Sequence, residues 1–321
     1  MDITVVAETV VGESELRPGR SSRWRPPSLR SEPVVGLLFI LPTVAVVVLI
    51  VFYPIVETAL MSFSKVNSLA QREGFAGVAN YRELFSDTVF LRILAQTVGW
   101  TVAVVGITTV VAIPVALALN FSFRGRRLAR ALLIVPWAAS LMINAIIWRW
   151  ILDGQYSIIN GTLMKLHLID QPIIWLGSEQ TAWAAIILVG ILVSIPFTSF
   201  SLLAGLQSVP SELYEAAMVD GAGFWTSFWH ITLPLIRPVL VVTTLLNVIY
   251  VFNSFPIPWV LTQGAPAYHT DILVTYLYKR AFTEGQFGPA AAMAMLTFLL
   301  LLAFSLGFSH VTRERTGVNA K

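Results

Sequence analysis

Six stretches of the chain read as nearly unbroken apolar runs, separated by segments where polar and charged positions crowd together. The runs are Val34–Val56, Ile93–Phe121, Ala131–Trp148, Thr181–Leu206, Val239–Leu261 and Phe287–Ser309. Crossing about 30 Å of hydrocarbon takes roughly 20 residues of helix, and each run approaches or exceeds that length. Hydrocarbon offers backbone N–H and C=O groups no partner, so an uninterrupted apolar run at that depth has to be helical. The pattern predicts six transmembrane helices. The second run is longer than a crossing requires and contains Pro114, which predicts a tilt or kink. The first run follows a polar leader, lacks a small-residue cleavage site and is too long for a signal-peptide core. It is expected to be a retained helix.

Composition agrees with a lipid environment. Hydrophobic residues make up 56% of the 321-residue chain and charged residues 12%, about half the charged fraction of a soluble globule. The chain contains no cysteine, which excludes disulfides, thiol nucleophiles and cysteine-held metals. The net charge of +3 is small, and nothing in the sequence supports nucleic-acid binding. Most of the 21 basic residues fall on one side if the N-terminus is cytoplasmic, with the turn carrying Arg124, Arg126, Arg127 and Arg130 the densest group. Six crossings then place both termini in the cytoplasm of a cell-membrane protein. Residues 1–33 are expected to be a disordered basic tail, 34–310 the membrane domain, and 311–321 a second cytoplasmic tail.

The interior of the runs is as informative for what it lacks. None of the 18 acidic residues falls in the middle of a run, whereas ion-driven carriers keep an ionisable group there. The chain has no G-x-x-x-x-G-K-[ST] phosphate loop, so energy for active transport has to come from another polypeptide. His167, His230, His269 and His310 show no metal-binding spacing, and no G-x-S-x-G elbow is present. No catalytic residue, metal site or cofactor of its own is expected. The chain reads as a transport component rather than an enzyme.

The polar segment 207–238 carries the strongest local signal. Ser208 is expected to cap a short helix, with Pro210 and Glu212 in the first turn, where the helix dipole favours an acid. The helix is predicted to run to about Val219 and to stop at Asp220-Gly221, a pair that tolerates left-handed backbone. Leu213, Ala216 and Ala217 share one face, and the alanines let another surface approach closely. A second short helix is expected from near Phe224 to just before Leu233-Pro234, where the chain turns back into the bilayer.

The order Glu215-Ala216-Ala217, Asp220-Gly221-Ala222 and Ile231-Thr-Leu233-Pro234 resembles the EAA loop of ABC-importer permeases. In that family the loop forms a coupling helix that docks in a groove of the cytoplasmic ATPase. Asn80-Tyr-Arg-Glu-Leu-Phe85, Leu203-Ala-Gly-Leu-Gln207 and Leu261-Thr262 with Gly264, Pro266 and Thr270 are similar to the carbohydrate branch, the maltose- and glycerol-phosphate-type permeases. One departure is Gly264-Ala265-Pro266, where that branch usually has Gly-Gly-Pro. The resemblance covers residues 34 to 310. It implies an all-α membrane protein of type I ABC-importer permease architecture. It also implies a second permease subunit, two ATP-binding subunits that hold ATP and magnesium, and an extracytoplasmic solute-binding protein. ATPase coupling would then rest on Glu215, Ala216, Ala217, Asp220, Gly221, Ala222, Leu233 and Pro234.

The fifth run is not uniformly apolar. It contains Asn247, Tyr250, Phe252, Asn253, Phe255 and Trp259, with Pro256 and Pro258 breaking its outer part. Amides in a membrane are costly unless they face a partner or a wet cavity. Aromatic rings beside amides suit a sugar, whose C–H faces stack while its hydroxyls take hydrogen bonds. These six residues are the candidate substrate path; helix packing and an interfacial aromatic belt are the competing account of the same residues. Ser194, Thr198, Ser199 and Ser201 around Pro196 are further candidates. A stand-alone secondary carrier or channel for a polar solute is the alternative to the importer permease. The solute is left open among mono- and disaccharides, amino sugars and glycerophosphodiesters.

Overall fold

The first run is a helix in two parts. In the computed structural model, which describes residues 32–316, α1 (Glu32–Val47) passes through a π-helical turn at Val48–Phe52 into α2 (Tyr53–Ser62). The basic leader up to residue 31 and the end of the C-terminal tail, 317–321, lie outside the described residues. Residues up to Ile55 form one unit; Val56 onward forms a second.

In the second unit, α2 gives way to a hairpin, β1 (Ser64–Val66) and β2 (Arg72–Phe75), paired antiparallel with Ser64 opposite Phe75. The Asn67 carboxamide oxygen accepts from the backbone N–H groups of Leu69 and Gln71 at 3.0 and 2.9 Å, which closes the turn. The hairpin is an addition to the helices expected from the sequence. α3 (Ala79–Ser86) follows and explains its motif. Asn80 Nδ2 donates to the carbonyls of Ser62 and Ser64 at 2.8 and 3.0 Å, and the Tyr81 hydroxyl donates to Ser62 Oγ at 2.8 Å. Leu84 is fully buried beneath them. Asn80 therefore satisfies carbonyls freed where α2 ends and the hairpin starts, and Tyr81 holds the Ser62 hydroxyl beside it.

α4 (Thr88–Asn120) starts where the Asp87 carboxylate accepts from Val89 N–H at 2.9 Å, and it runs through Pro114 without interruption. Its buried positions recur every three or four residues, Ile93, Thr97, Trp100, Val104, Thr108, Ala112, Ala116 and Leu119, forming one stripe. That stripe faces α8 (Glu179–Gln207). A methyl group at Gly190 would lie 2.5 Å from the Trp100 ring, so only glycine lets the indole lie against α8. Trp100, Val104, Ile186, Val189, Val251 and Ile272 belong to the largest buried cluster among the described residues. Emptying a site of that kind typically costs about 3–5 kcal/mol.

The third run departs from expectation. Instead of one helix over Ala131–Trp148, the structure has α5 (Arg126–Ala138) and α6 (Leu141–Ile151), bent by 98°. Pro136 removes an N–H from the ladder, and the Ser140 hydroxyl caps α6 by accepting from Met142 N–H. Asn144 Nδ2 donates to the carbonyls of Pro136, Ala139 and Ser140 at 2.9, 3.3 and 3.3 Å. The break is thus internally satisfied, as low-dielectric surroundings demand. Among the described residues, five helices are long and apolar enough to cross a membrane: Phe39–Ser62, Thr88–Asn120, Glu179–Gln207, Phe224–Leu261 and Phe287–His310; the bent pair makes a sixth crossing if counted as one.

Between α6 and α8 lies α7 (Ile158–Lys165), fixed by buried Asn160, which donates to Ile173 O at 2.9 Å and accepts from Trp175 Nε1 at 3.0 Å. The rest of the chain comprises α9 (Ser211–Val219), α10 (Phe224–Ser227), α11 (Leu233–Phe252), α12 (Pro256–Leu261), α13 (Leu273–Tyr278) and α14 (Phe287–Thr316). The last helix continues past Ser309, into the segment expected as a tail.

Candidate functional site

The loop between α8 and α11 is organised around a helix stop. α9 ends at Val219 with Asp220 as its C-cap, and Gly221 takes φ +78°, a conformation that costs residues with a Cβ about 1–2 kcal/mol. The N–H of Ala222 donates to Ala217 O at 2.8 Å and that of Gly221 to Met218 O at 3.1 Å. This pair of bonds is a Schellman motif, and it gives the spacing of the sequence pattern a physical cause. Ala217 and Ala222 are the small apolar residues that meet across the stop, and both are half-buried. Glu215, Ala216, Asp220 and Gly221 are exposed. The Tyr214 hydroxyl pairs with Thr232 Oγ1 at 3.0 Å and ties α9 to the segment that follows.

Two local expectations need correction. Ser208 does not cap α9. It ends α8, its hydroxyl donating to Gly205 O at 2.7 Å, because α8 continues to Gln207; Pro210 precedes α9. The second short helix also does not stop before Leu233-Pro234. α10 passes through a π-helical turn at Phe228–Thr232 directly into α11, with half-buried Leu233 and exposed Pro234 in the first turn of α11. Proline fits there because its missing N–H is one the first turn does not need.

At the far end of α11 the candidate path residues occupy different faces. Asn247 is buried, 2% exposed, and its Nδ2 donates to Thr198 Oγ1 of α8 at 3.3 Å. Thr198 in turn donates to Ser194 O at 2.9 Å. Phe252 is buried in a cluster with Leu84, Phe90, Leu273 and Met293. Tyr250 and Asn253, three residues apart, point outward; the Asn253 amide donates to Ile249 O at 3.1 Å. The chain breaks after Asn253, as the two prolines predict, and resumes at α12. There Phe255, Trp259 and Tyr278 form a triangle of half-exposed rings with centroids 4.9–5.2 Å apart. Of the serines on α8, Ser194 and Ser199 are buried and Ser201 is half-buried.

Sequence reasoning missed the group that holds this end together. Asp271 is fully buried; Lys279 Nζ donates to its Oδ2 at 2.6 Å, and the Thr275 hydroxyl donates to its Oδ1 at 2.8 Å. Burial pushes the Asp271 carboxyl above the usual carboxylate range, while the Lys279 bond and charge and the Thr275 bond pull it back. Lys279 also lies 4.8 Å above the Tyr268 ring. The Thr270 hydroxyl donates to Thr262 Oγ1 and Ala265 O, both at 2.8 Å, as a bifurcated bond. Outer contacts add to this: Arg92 donates to Ala267 O at 3.2 Å, Gln96 to His269 O at 2.8 Å, and His269 Nδ1 lies 2.7 Å from Glu179. Leu261-Thr262, Gly264, Pro266 and Thr270 thus belong to a loop braced from within. The separation of Asp271 and Lys279, two helical turns, was the available signal.

Comparison with known proteins places this geometry. The sequence profile described as "Binding-protein-dependent transport system inner membrane component" matches residues 109–316, well over half of the chain. The chain belongs to this family. This permease is 46% identical over 273 residues to a probable ABC transporter permease protein of Brucella abortus, covering 85% of this chain and 94% of that one. It is 34% identical over 284 residues to the trehalose/maltose transport system permease protein of Thermococcus litoralis, covering 88% and 95%. Its fold matches a chain from a crystal structure of a bacterial ABC transporter that imports the acidic polysaccharide alginate. The TM-score is 0.78 at 22% identity, with 89% of this chain and 96% of the other covered. The chain is therefore a permease subunit of an ABC transporter in the inner membrane, with ATP hydrolysis on a separate chain, and the stand-alone carrier alternative falls.

Proposed function

We propose that this permease moves a sugar or sugar-like polar solute into the cytoplasm by alternating access, with both termini and the 207–238 loop on the cytoplasmic side. The observation that carries the coupling role is the exposure of Glu215 and Ala216 on a helix whose far end is locked by the Gly221 stop. A short rigid helix with a small-residue face and the exposed carboxylates of Glu212 and Glu215 suits a protein groove that has to transmit force. Glu215, Ala216 and Asp220 face the ATP-binding partner in this reading; Ala217, Gly221, Ala222, Leu233 and Pro234 shape the loop. Two such partners hold ATP and magnesium, a second permease completes the pathway, and an extracytoplasmic binding protein delivers the solute. In this reading the membrane domain covers 34–310.

The sugar reading rests on the aromatic triangle and on the relative that transports trehalose and maltose. Tyr250, Asn253, Phe255 and Trp259 supply stacking faces and an amide towards the solute. Asn247 and Phe252 form the layer behind that fixes their helix. The test of the coupling role is Glu215→Lys in the assembled complex. The protein is expected to insert normally while ATPase copurification and solute uptake both fall; normal values of both would refute the assignment.

A further inference from the structure

The turn between α4 and α5 carries Arg124, Arg126, Arg127 and Arg130, and among the described residues none of them forms an ion pair. Two already serve the protein. Arg130 donates to Leu119 O at 3.0 Å and Arg126 to Asn120 O at 3.5 Å, covering the carbonyls at the end of α4. That cover removes the negative pole which would otherwise repel an anion. Arg127 is exposed and lines a cavity of about 400 Å³ together with Ser122, Phe123, Gly125 and Arg126; exposed Arg124 lies beside it in the chain.

The residue before this cavity belongs to another. Phe121 lines a groove of about 420 Å³ with Ile113, Leu117, Phe224, Trp225 and Phe228, all apolar side chains. A ladder of rings closes it, Phe121–Phe224 at 6.4 Å, Phe224–Trp225 at 5.4 Å, Trp225–Phe228 at 6.1 Å and Phe228–Trp229 at 5.2 Å. Trp225 and Trp229 are 69% and 59% exposed, an arrangement typical of headgroup depth. An arginine-lined cavity and a carbon-lined groove thus adjoin at Phe121–Ser122, matching in order the two halves of a charged amphiphile.

We infer that the α4–α5 turn and the α10 aromatic ladder form a binding site for one phospholipid with an anionic headgroup. The phosphate pairs with Arg127 and Arg124, and an acyl chain lies along Leu117, Phe121 and Phe228. Zwitterionic lipids lack the net charge that two unpaired guanidinium groups select. Because α10 continues into α11 and follows α9, a lipid seated there pins the Glu215 helix at a fixed depth. The inference needs only that the chain is a membrane permease, not the proposed solute or orientation.

Native mass spectrometry of the full chain, presented with equal phosphatidylglycerol and phosphatidylethanolamine of matched acyl chains, tests the site. Wild type is expected to retain phosphatidylglycerol preferentially. Arg124→Gln with Arg127→Gln spares the guanidinium groups that cover α4, so melting should stay unchanged while retention falls on the order of tenfold. Ala118 also lines the groove; Ala118→Trp fills it and should expel the same lipid with the arginines intact. Equal retention of both lipids by wild type, or undiminished retention by the double variant, overturns the site. Displacement by millimolar inorganic phosphate alone would mean an anion site without a tail and would also overturn it. So would a second copy of the chain found covering the groove.

Discussion

At the scale of single residues, the two amides of α11 show how chemistry identical in sequence separates in space. Asn247 is buried and spends its Nδ2 on Thr198; Asn253 is exposed and spends only one N–H on its own helix. Replacing each by leucine keeps the volume similar and removes the polar group. Asn253→Leu is expected to leave assembly and melting intact while uptake falls roughly tenfold, the worth of one or two good hydrogen bonds. Asn247→Leu removes an interhelical bond worth about 1 kcal/mol and is expected to lower the melting temperature with equal effect on every solute. Uptake of two solutes beside a detergent melting curve separates the cases. Unchanged uptake in Asn253→Leu would remove that residue from the path.

Between elements, the buried Asp271–Lys279 pair decides how the loop after α12 is held against α4 and α13. Removing one member of such a pair leaves an uncompensated charge and costs about 3–5 kcal/mol. Lys279→Met is therefore expected to melt early at neutral pH. The direction of the pH dependence follows from Asp271, whose folded carboxyl titrates above its unfolded value because of burial. The folded state holds that proton more tightly, so the group's stabilisation is complete below about pH 4 and is lost as pH rises through the raised folded value. Without the lysine the carboxyl rises further, and the loss extends closer to neutrality. Melting curves of Lys279→Met between pH 8 and pH 5 should climb on acidification, and Asp271→Asn in the same background should flatten them. A flat profile for the single variant would contradict the pairing.

The whole molecule raises the question of sidedness. The chain has no cysteine, so single introduced cysteines report accessibility without background. Val219 in α9 and Leu168 after α7 are 87% and 67% exposed and flank α8, a helix long and apolar enough to cross a membrane. With the proposed orientation, a membrane-impermeant maleimide should label Leu168→Cys on intact cells and leave Val219→Cys untouched. Inverted vesicles should reverse the result. Labelling of Val219→Cys from outside would invert the topology and, with it, the proposed direction of coupling.

The apolar runs located the membrane helices because hydrocarbon enforces helical backbone wherever a run is long enough, and that requirement is local. The helix stop at Gly221 was legible for the same reason: a left-handed turn after a short helix depends on few residues beyond its own. The break at Ala139–Ser140 was not read, although Pro136, Ser140 and Asn144 stand in the sequence, since their effect depends on which carbonyls one amide can reach. Which amide of α11 faces inward was likewise undetermined. Neighbouring helices settle it, since Asn247 meets Thr198 of α8, whereas Asn253, exposed, bonds Ile249 O of its own helix. Asp271 read as an ordinary loop acid. Only folding brings it out of water and against Lys279, because burial is a property of everything packed around a residue and not of the residue itself.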